Sequence, residues 1–237
     1  MKKLSIIIPA YNEEKTILEV LAKVKKTKLS LRKEIIVVSD GSTDRTAKLA
    51  ATLKGIKVID QQPNQGKGAA VRKGIESSTG EIVIIQDADL EYNPEEYEKI
   101  VKPLLDKTAL VVYGSRFLGS EPRRLKIFSR KHKNAYSSAY FGAQVITFLT
   151  NLLFGTELTD EPTCYKCFES SLIKSIKIES DRFNWEPEVT AKIALKGINI
   201  YEVPISYNPR SFREGKKINW KDGIQAIWTL IKYRFNA

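Results

Sequence analysis

Histidine occurs once, at His132, and cysteine only twice, at Cys164 and Cys167. A single histidine argues against a Ser-His or Cys-His nucleophilic pair. Two cysteines in 237 residues are too few for a disulfide scaffold, so a reducing cytoplasm is the default expectation. Their Cys-x-x-Cys spacing suggests zinc, but zinc would need two more ligands and His132 is the only histidine. The pair reads as two buried thiols. The phosphate fingerprints G-x-x-x-x-G-K-[ST] and G-x-G-x-x-G are both absent. There is no signal peptide, no internal repeat and no flexible linker. A long apolar run is missing too. The longest uncharged stretch, 134–156, carries Ser137, Ser138, Gln144, Thr147, Thr150 and Asn151. That is too polar for a spanning helix of about 20 apolar residues. It reads as an amphipathic helix, on the domain core or on a membrane surface.

Charge of one sign is in excess. Lysine and arginine total 39 against 28 acids, a net +11. That balance favours polyanions: nucleic acid, an anionic membrane or phosphorylated substrates. One basic group is Arg123, Arg124, Lys126, Arg130, Lys131 and Lys133; a second is Arg210, Arg213, Lys216, Lys217 and Lys221. With 42% hydrophobic residues the chain has an ordinary globular composition, enough for one large α/β domain or two small ones.

The first half alternates apolar strands (4–8, 34–39, 56–60, 81–86, 110–114) with helical spacings (14–26, 44–53, 67–77, 94–106). Strands apolar on both faces, separated by helices, indicate a parallel sheet covered on each side. Ligands of such sheets bind beyond the strands' carboxyl ends. The loops 9–13, 39–44, 61–67, 86–93 and 115–117 should therefore line one edge. The second half is less regular, with helices at 136–154, 186–195 and 218–234, a strand at 198–203 and a possible strand at 163–168. It completes the first half as one domain.

Three of those loops carry chemistry. IIQDADLEYNP (84–94) ends a buried strand with Asp87, Asp89 and Glu91. Carboxylates at such spacing suit Mg²⁺ or Mn²⁺, which keep waters and bridge to substrate phosphates. A solvated acidic loop is the other reading. Asp40-Gly41-Ser42 suits hydrogen bonding to a base or ribose, or an acidic turn and cap. Gln65-Gly66-Lys67-Gly68 opens a helix, where an anion is favoured, and reads equally as a plain glycine-rich helix start.

Together these segments resemble glycosyltransferase family 2, which has the GT-A fold. The matching pieces are SIIIPAYNEE (5–14), EIIVVSDGSTDRT (34–46), NQGKGAAVRKG (64–74), TGEIVIIQDADL (79–90) and YGSR (113–116). TDEPTCYKCF (159–168), EVPISY (202–207) and RSFREGKK (210–217) look like the dolichyl- or polyprenyl-phosphate mannose and glucose synthase branch. One departure is Ser39, where the family often has a first acid before the kept Asp40.

The resemblance implies an α/β, Rossmann-like, mostly parallel sheet flanked by helices. Residues 1–117 would form a nucleotide-sugar-binding half and 118–237 an acceptor- and membrane-facing half of one catalytic domain. It implies that Pro9, Tyr11, Glu13, Val38 and Asp40 hold the nucleotide and that Asp87 and Ala88 contact the donor. Asp89 and Glu91 would hold Mg²⁺ or Mn²⁺ on the diphosphate. Arg116, Arg130, Arg210 and Lys216 would meet phosphates, Arg130 those of the acceptor; Asp87, Asp89 and Arg116 carry the catalytic expectation. The activity implied is inverting hexosyl transfer from GDP-mannose or UDP-glucose to a polyprenyl or dolichyl phosphate. A lipid phosphate is already anionic, so no strong general base is needed, in keeping with one histidine. Relatives often append membrane helices and this chain stops at Ala237. A soluble or peripheral enzyme at the cytoplasmic membrane face is expected, with no nucleic-acid partner. One rival is transfer to a soluble acceptor, with Asp160, Glu161 or Glu186 as base. A remote one is a non-catalytic polyanion-binding module.

Overall fold

A computed structural model of the chain describes residues 2–118, 135–210, 217 and 219–235. Seven strands form one sheet: β1 (Lys3–Ala10), β2 (Arg32–Asp40), β3 (Ile56–Gln61), β4 (Ile82–Ile85), β5 (Val111–Ser115), β6 (Lys166–Glu169) and β7 (Ile200–Pro204). Their order is β3-β2-β1-β4-β6-β5-β7. The helices are α1 (Ile17–Lys26), α2 (Thr46–Ala51), α3 (Lys67–Ser77), α4 (Tyr97–Leu105), α5 (Ala135–Phe154), α6 (Ser170–Ser175), α7 (Trp185–Leu195) and α8 (Trp220–Phe235).

The apolar strand runs are the reason for this arrangement. Leu4, Ile6, Ile7 and Ile8 of β1 and Ile84 and Ile85 of β4 are fully buried, so neither face of the central strands meets water. β1 pairs in parallel with β2 on one side and β4 on the other, Ile7 opposite both Ile36 and Ile85. The chain order reverses at this pair, and the loops beyond it open onto the functional cleft.

Three elements depart from the sequence expectation. β6 runs antiparallel to both β4 and β5, a single reversed strand within an otherwise parallel sheet. α1 begins at Ile17, because the amides of Thr16 and Ile17 both donate to the Glu13 carbonyl and close a turn first. α6 was not anticipated; Glu169 caps it by accepting from the Leu172 amide at 3.0 Å.

α8 is apolar on two sides. Ala226 and Leu230 are buried in a small cluster with Ile146 of α5. The other side leaves Trp220, Ile224, Trp228 and Phe235 58–73% exposed, beside the similarly exposed Phe141, Phe148 and Leu152 of α5. α5 has no charged residue, and the only acid of α8, Asp222, is buried, whereas Lys221, Lys232 and Arg234 are exposed. No helix among the described residues is long and apolar enough to cross a membrane.

The start of α3 is pressed against the segment before α7. The Ala69 amide donates to the Asp181 carbonyl at 3.1 Å. A Cβ on Gly68 would lie 2.2 Å from the Ser180 carbonyl oxygen, which is backbone and cannot swing away. Gly68→Ala is expected to cost about 1–3 kcal/mol in urea denaturation through overpacking. Gly142→Ala, with open space around it in α5, should be neutral or stabilising by about 0.5–1 kcal/mol.

Candidate active site

The carboxyl ends of β1, β2, β4 and β5, with the segments 64–67, 182–186 and 207–210, surround a cleft of about 750 Å³. Its floor is charged and lies on the sheet edge; its wall is apolar, with Phe141 and Ile146 of α5 and Ile224 and Ile227 of α8.

The acidic floor is stitched together by its own cations. Arg210 donates to Glu13 at 3.2 Å and to Asp89 at 2.9 Å. Lys217 lies 2.7 Å from Glu13 and also donates to the Tyr11 carbonyl. Glu91 accepts from the Tyr207 hydroxyl at 2.5 Å and from the Arg210 amide at 2.8 Å. Burial and the neighbouring Asp87 and Glu91 carboxylates push the Asp89 carboxyl up to about 7, against the pull of Arg210. Gln86 sets the entry to this loop. Its buried amide oxygen accepts from Tyr97 and Tyr165, and its amide nitrogen donates to the Asp87 carbonyl.

A second charged group sits beside the first. Lys67 lies 2.9 Å from Asp87 and 3.0 Å from Glu186, with its ammonium 5.7 Å from the Phe183 ring centre. Burial holds the Glu186 carboxyl above its usual range, partly offset by Lys67. Burial likewise pushes the Cys164 and Cys167 thiols up, as expected of two inert buried cysteines.

Arg116 is clamped rather than mobile. It makes two parallel bonds to the fully buried Asp160, each 2.7 Å, and lies 5.0 Å from the Tyr207 ring centre. Glu202 of β7 holds the Asp160 loop by accepting from the amides of Thr159 and Asp160. The buried Lys166 donates to the Glu161 carbonyl at 2.6 Å and lies 3.7 Å from the Tyr113 ring centre.

Of the expected site residues that are described, Pro9, Tyr11, Glu13, Asp40, Asp87, Ala88, Asp89, Glu91, Arg116 and Arg210 all line the cleft. Val38 does not. It sits within β2 and is buried with Ile36 and Ala70, against the partly buried Ile59. Asp40 turns toward the end of β3 and the loop after it, accepting from Gln61, Asn64 and the amides of Gln65 and Gly66 at 2.7–2.9 Å. Arg130 and Lys216 lie outside the described residues, as does the whole basic group 123–133. Among the three acids weighed as a base, only Glu186 lines the cleft. Sequence reasoning missed Lys217, Tyr207 and the part played by Lys67. The signals for them were the last residue of RSFREGKK, the last residue of EVPISY and the lysine inside QGKG.

The donor set fits one kind of cation. No three acidic, histidine or cysteine side chains among the described residues form a cage. Mg²⁺ or Mn²⁺ needs only one or two carboxylates when substrate phosphates and water complete its shell. Burial, with Asp87 and Glu91 alongside, disfavours the ionised form of Asp89, and a cation seated there would offset that. Glu91, expected beside Asp89 on the metal, accepts one hydrogen bond on each oxygen from the 207–210 segment, which leaves each oxygen a second lone pair.

Comparison with known proteins agrees with this architecture. The family model described as Glycosyl transferase family 2 matches residues 5–176. An uncharacterized protein of Methanocaldococcus jannaschii is 30% identical over 95% of this chain and 90% of its own length. The UDP-N-acetylglucosamine–dolichyl-phosphate N-acetylglucosaminyltransferase of Methanococcus voltae is 27% identical over 97% of this chain and 95% of its own. Among solved structures, glucosyl-3-phosphoglycerate synthase of Mycobacterium tuberculosis, crystallised with Mn²⁺, UDP and phosphoglyceric acid, superposes with a TM-score of 0.71. It is 22% identical and covers 99% of this chain and 79% of that one.

The Arg116–Asp160 clamp predicts a stability effect. Asp160→Ala leaves a largely buried guanidinium without its carboxylate and should cost about 3–5 kcal/mol in urea denaturation. A loss within 0.5 kcal/mol would show that the clamp contributes nothing to the fold.

Proposed function

The chain belongs to glycosyl transferase family 2 and is a glycosyltransferase with the GT-A fold; from that premise we propose that it moves a hexose from a nucleotide-sugar to a polyprenyl or dolichyl phosphate. The observation that carries this reading is the pairing of a charged floor with an apolar wall in one cleft. The wall continues outward into the exposed aromatic side of α5 and α8, which bears only basic charge. A phosphate attached to a long apolar chain meets both requirements at once. The Methanococcus voltae relative is named for a dolichyl-phosphate acceptor and a UDP-sugar donor.

Asp89 would hold a divalent cation, and Mg²⁺ or Mn²⁺ bound there would neutralise charge growing on the departing diphosphate. Arg210 already stands between Glu13 and Asp89, so a diphosphate arriving there meets a guanidinium in place. Arg116, fixed by Asp160 and faced by Tyr207, supplies a second preorganised cation for a phosphate. An oxygen of the acceptor phosphate attacks the anomeric carbon as the bond to the diphosphate breaks, inverting that centre. The attacking oxygen carries no proton to remove, so the step requires no general base. The apolar wall excludes water, the competing nucleophile.

The helices α5 and α8 are the side proposed to rest on the membrane, their tryptophan and phenylalanine side chains in the interface and Lys221, Lys232 and Arg234 toward anionic headgroups. A second reading has one observation in its favour: Glu186 lines the cleft and could serve as base for a soluble acceptor. The mycobacterial fold neighbour is itself a phosphoglycerate glucosyltransferase.

Transfer from UDP-glucose or GDP-mannose should be measured with polyprenyl phosphate and with free sugars and phosphoglycerate side by side. Product on the lipid alone is expected, abolished by EDTA. Asp89→Asn should lower kcat/KM roughly 10²–10³-fold; full activity in EDTA would overturn the metal. Replacing Trp220 and Trp228 together by serine should weaken binding to anionic vesicles about tenfold or more. Unchanged co-sedimentation would remove α8 from the membrane side.

A further inference from the structure

Residues 158–161 lie between α5 and β6 in no strand or helix, yet all four of their amides are held by side chains of other elements. Asn151 of α5 accepts from the Leu158 amide at 2.9 Å and donates to the Leu158 carbonyl at 2.8 Å. Glu202 of β7 accepts from the Thr159 amide and hydroxyl, each at 2.8 Å, and from the Asp160 amide at 3.1 Å. Thr147 of α5 accepts from the Glu161 amide at 3.0 Å, and Lys166 donates to the Glu161 carbonyl at 2.6 Å. An irregular loop can leave its amides to water. This one is fixed from α5, β6 and β7 at once.

What the segment carries is Asp160. Its two oxygens grip one edge of the Arg116 guanidinium, at Nε and Nη2, and Nη2 also donates to the Pro162 carbonyl at 3.2 Å. Three of the five guanidinium donors are spent in this way, which leaves the two on Nη1. Arg116 lines the cleft, whereas neither Glu202 nor Asn151 does. A rigid plane held along one edge has its remaining donors aimed by the group that holds it. The aim of Nη1 is therefore set by where Asp160 sits, and Asp160 sits where its backbone is pinned.

We propose that Glu202 and Asn151 are positioning residues of the transfer reaction: through Asp160 they aim Nη1 of Arg116 at a substrate phosphate. The proposal rests on the reading above that Arg116 meets a phosphate. It deepens that reading by assigning the orientation of this cation to two residues outside the cleft. Asn151 precedes the exposed Leu152 and follows the exposed Phe148 by three residues. The helix proposed to rest on the membrane thus also holds the loop that orients the cation.

The test is a double-mutant cycle on the whole chain. It is read as kcat/KM for hexose transfer from UDP-glucose or GDP-mannose to polyprenyl phosphate with Mn²⁺. Arg116→Lys keeps the charge, loses the fork and should lower kcat/KM about 10²-fold. Glu202→Gln keeps the shape but turns an N–H group toward an amide that needs an acceptor. It should lower kcat/KM about tenfold in the wild type and less than about threefold in the Arg116→Lys chain, where no fork remains to be aimed. A merely structural defect removes the same fraction of active protein in both backgrounds, so equal losses overturn the proposal. Wild-type activity in Glu202→Gln or in Arg116→Lys overturns it too. Should Glu202→Gln not fold, Asn151→Asp decides by the same cycle, since it keeps the acceptor for the Leu158 amide and loses the donor to the Leu158 carbonyl. A wild-type chain that transfers no hexose to the lipid phosphate overturns the proposed function, and this role with it; every other outcome leaves that function standing.

Discussion

Mutual repulsion among buried carboxylates is the constraint on which the site depends. Glu13, Asp87, Asp89, Glu91 and Glu186 all line one cleft at the sheet edge. Bringing them out of water together is unfavourable unless positive charge comes with them. Lys67 answers Asp87 and Glu186, while Arg210 and Lys217 answer Glu13 and Asp89. The compensation is incomplete at Asp89, whose carboxyl is pushed up by burial and by its acidic neighbours.

The same constraint explains why the second half of the chain must fold back over the first. Arg210 and Lys217 come from beyond β7, and Glu186 from α7. The Glu202–Asp160–Arg116 chain links β7, the loop before β6 and the end of β5. Removing any one of these connections leaves a buried charge unpaired, which is costlier than never having placed the pair. Activity and stability are therefore coupled at the cleft, and the buried Lys166, held by Glu161 and Tyr113, extends that coupling into the core.

How far residues in a row reveal such a site can be judged from particular cases. The strand-end loops with Tyr11, Glu13, Asp87, Asp89 and Arg116 were legible because apolar strand runs announce a parallel sheet, and the sheet dictates where its loops gather. The lone antiparallel strand β6 was not legible. Four residues carry no mark of direction, and pairing with β4 and β5 decides it. Asp40 was visible as an acid before a turn, but its engagement with Gln61, Asn64, Gln65 and Gly66 depends on where the next loop passes. Glu91 looked equivalent to Asp89 in sequence; only the fold showed that its oxygens also accept from Tyr207 and the Arg210 amide, more than a hundred residues later.

The amino-acid sequence by itself determined the α/β class, the edge of the sheet that carries the chemistry and the family, because hydrophobic periodicity and short motifs are local properties of a chain. Only the tertiary structure decided which charges meet: Lys67 with Glu186, Arg116 with Asp160, Arg210 with Asp89. Electrostatic interaction falls with distance through space and is blind to separation along the chain, so partners 44 to 121 residues apart become readable only once the fold has brought them together.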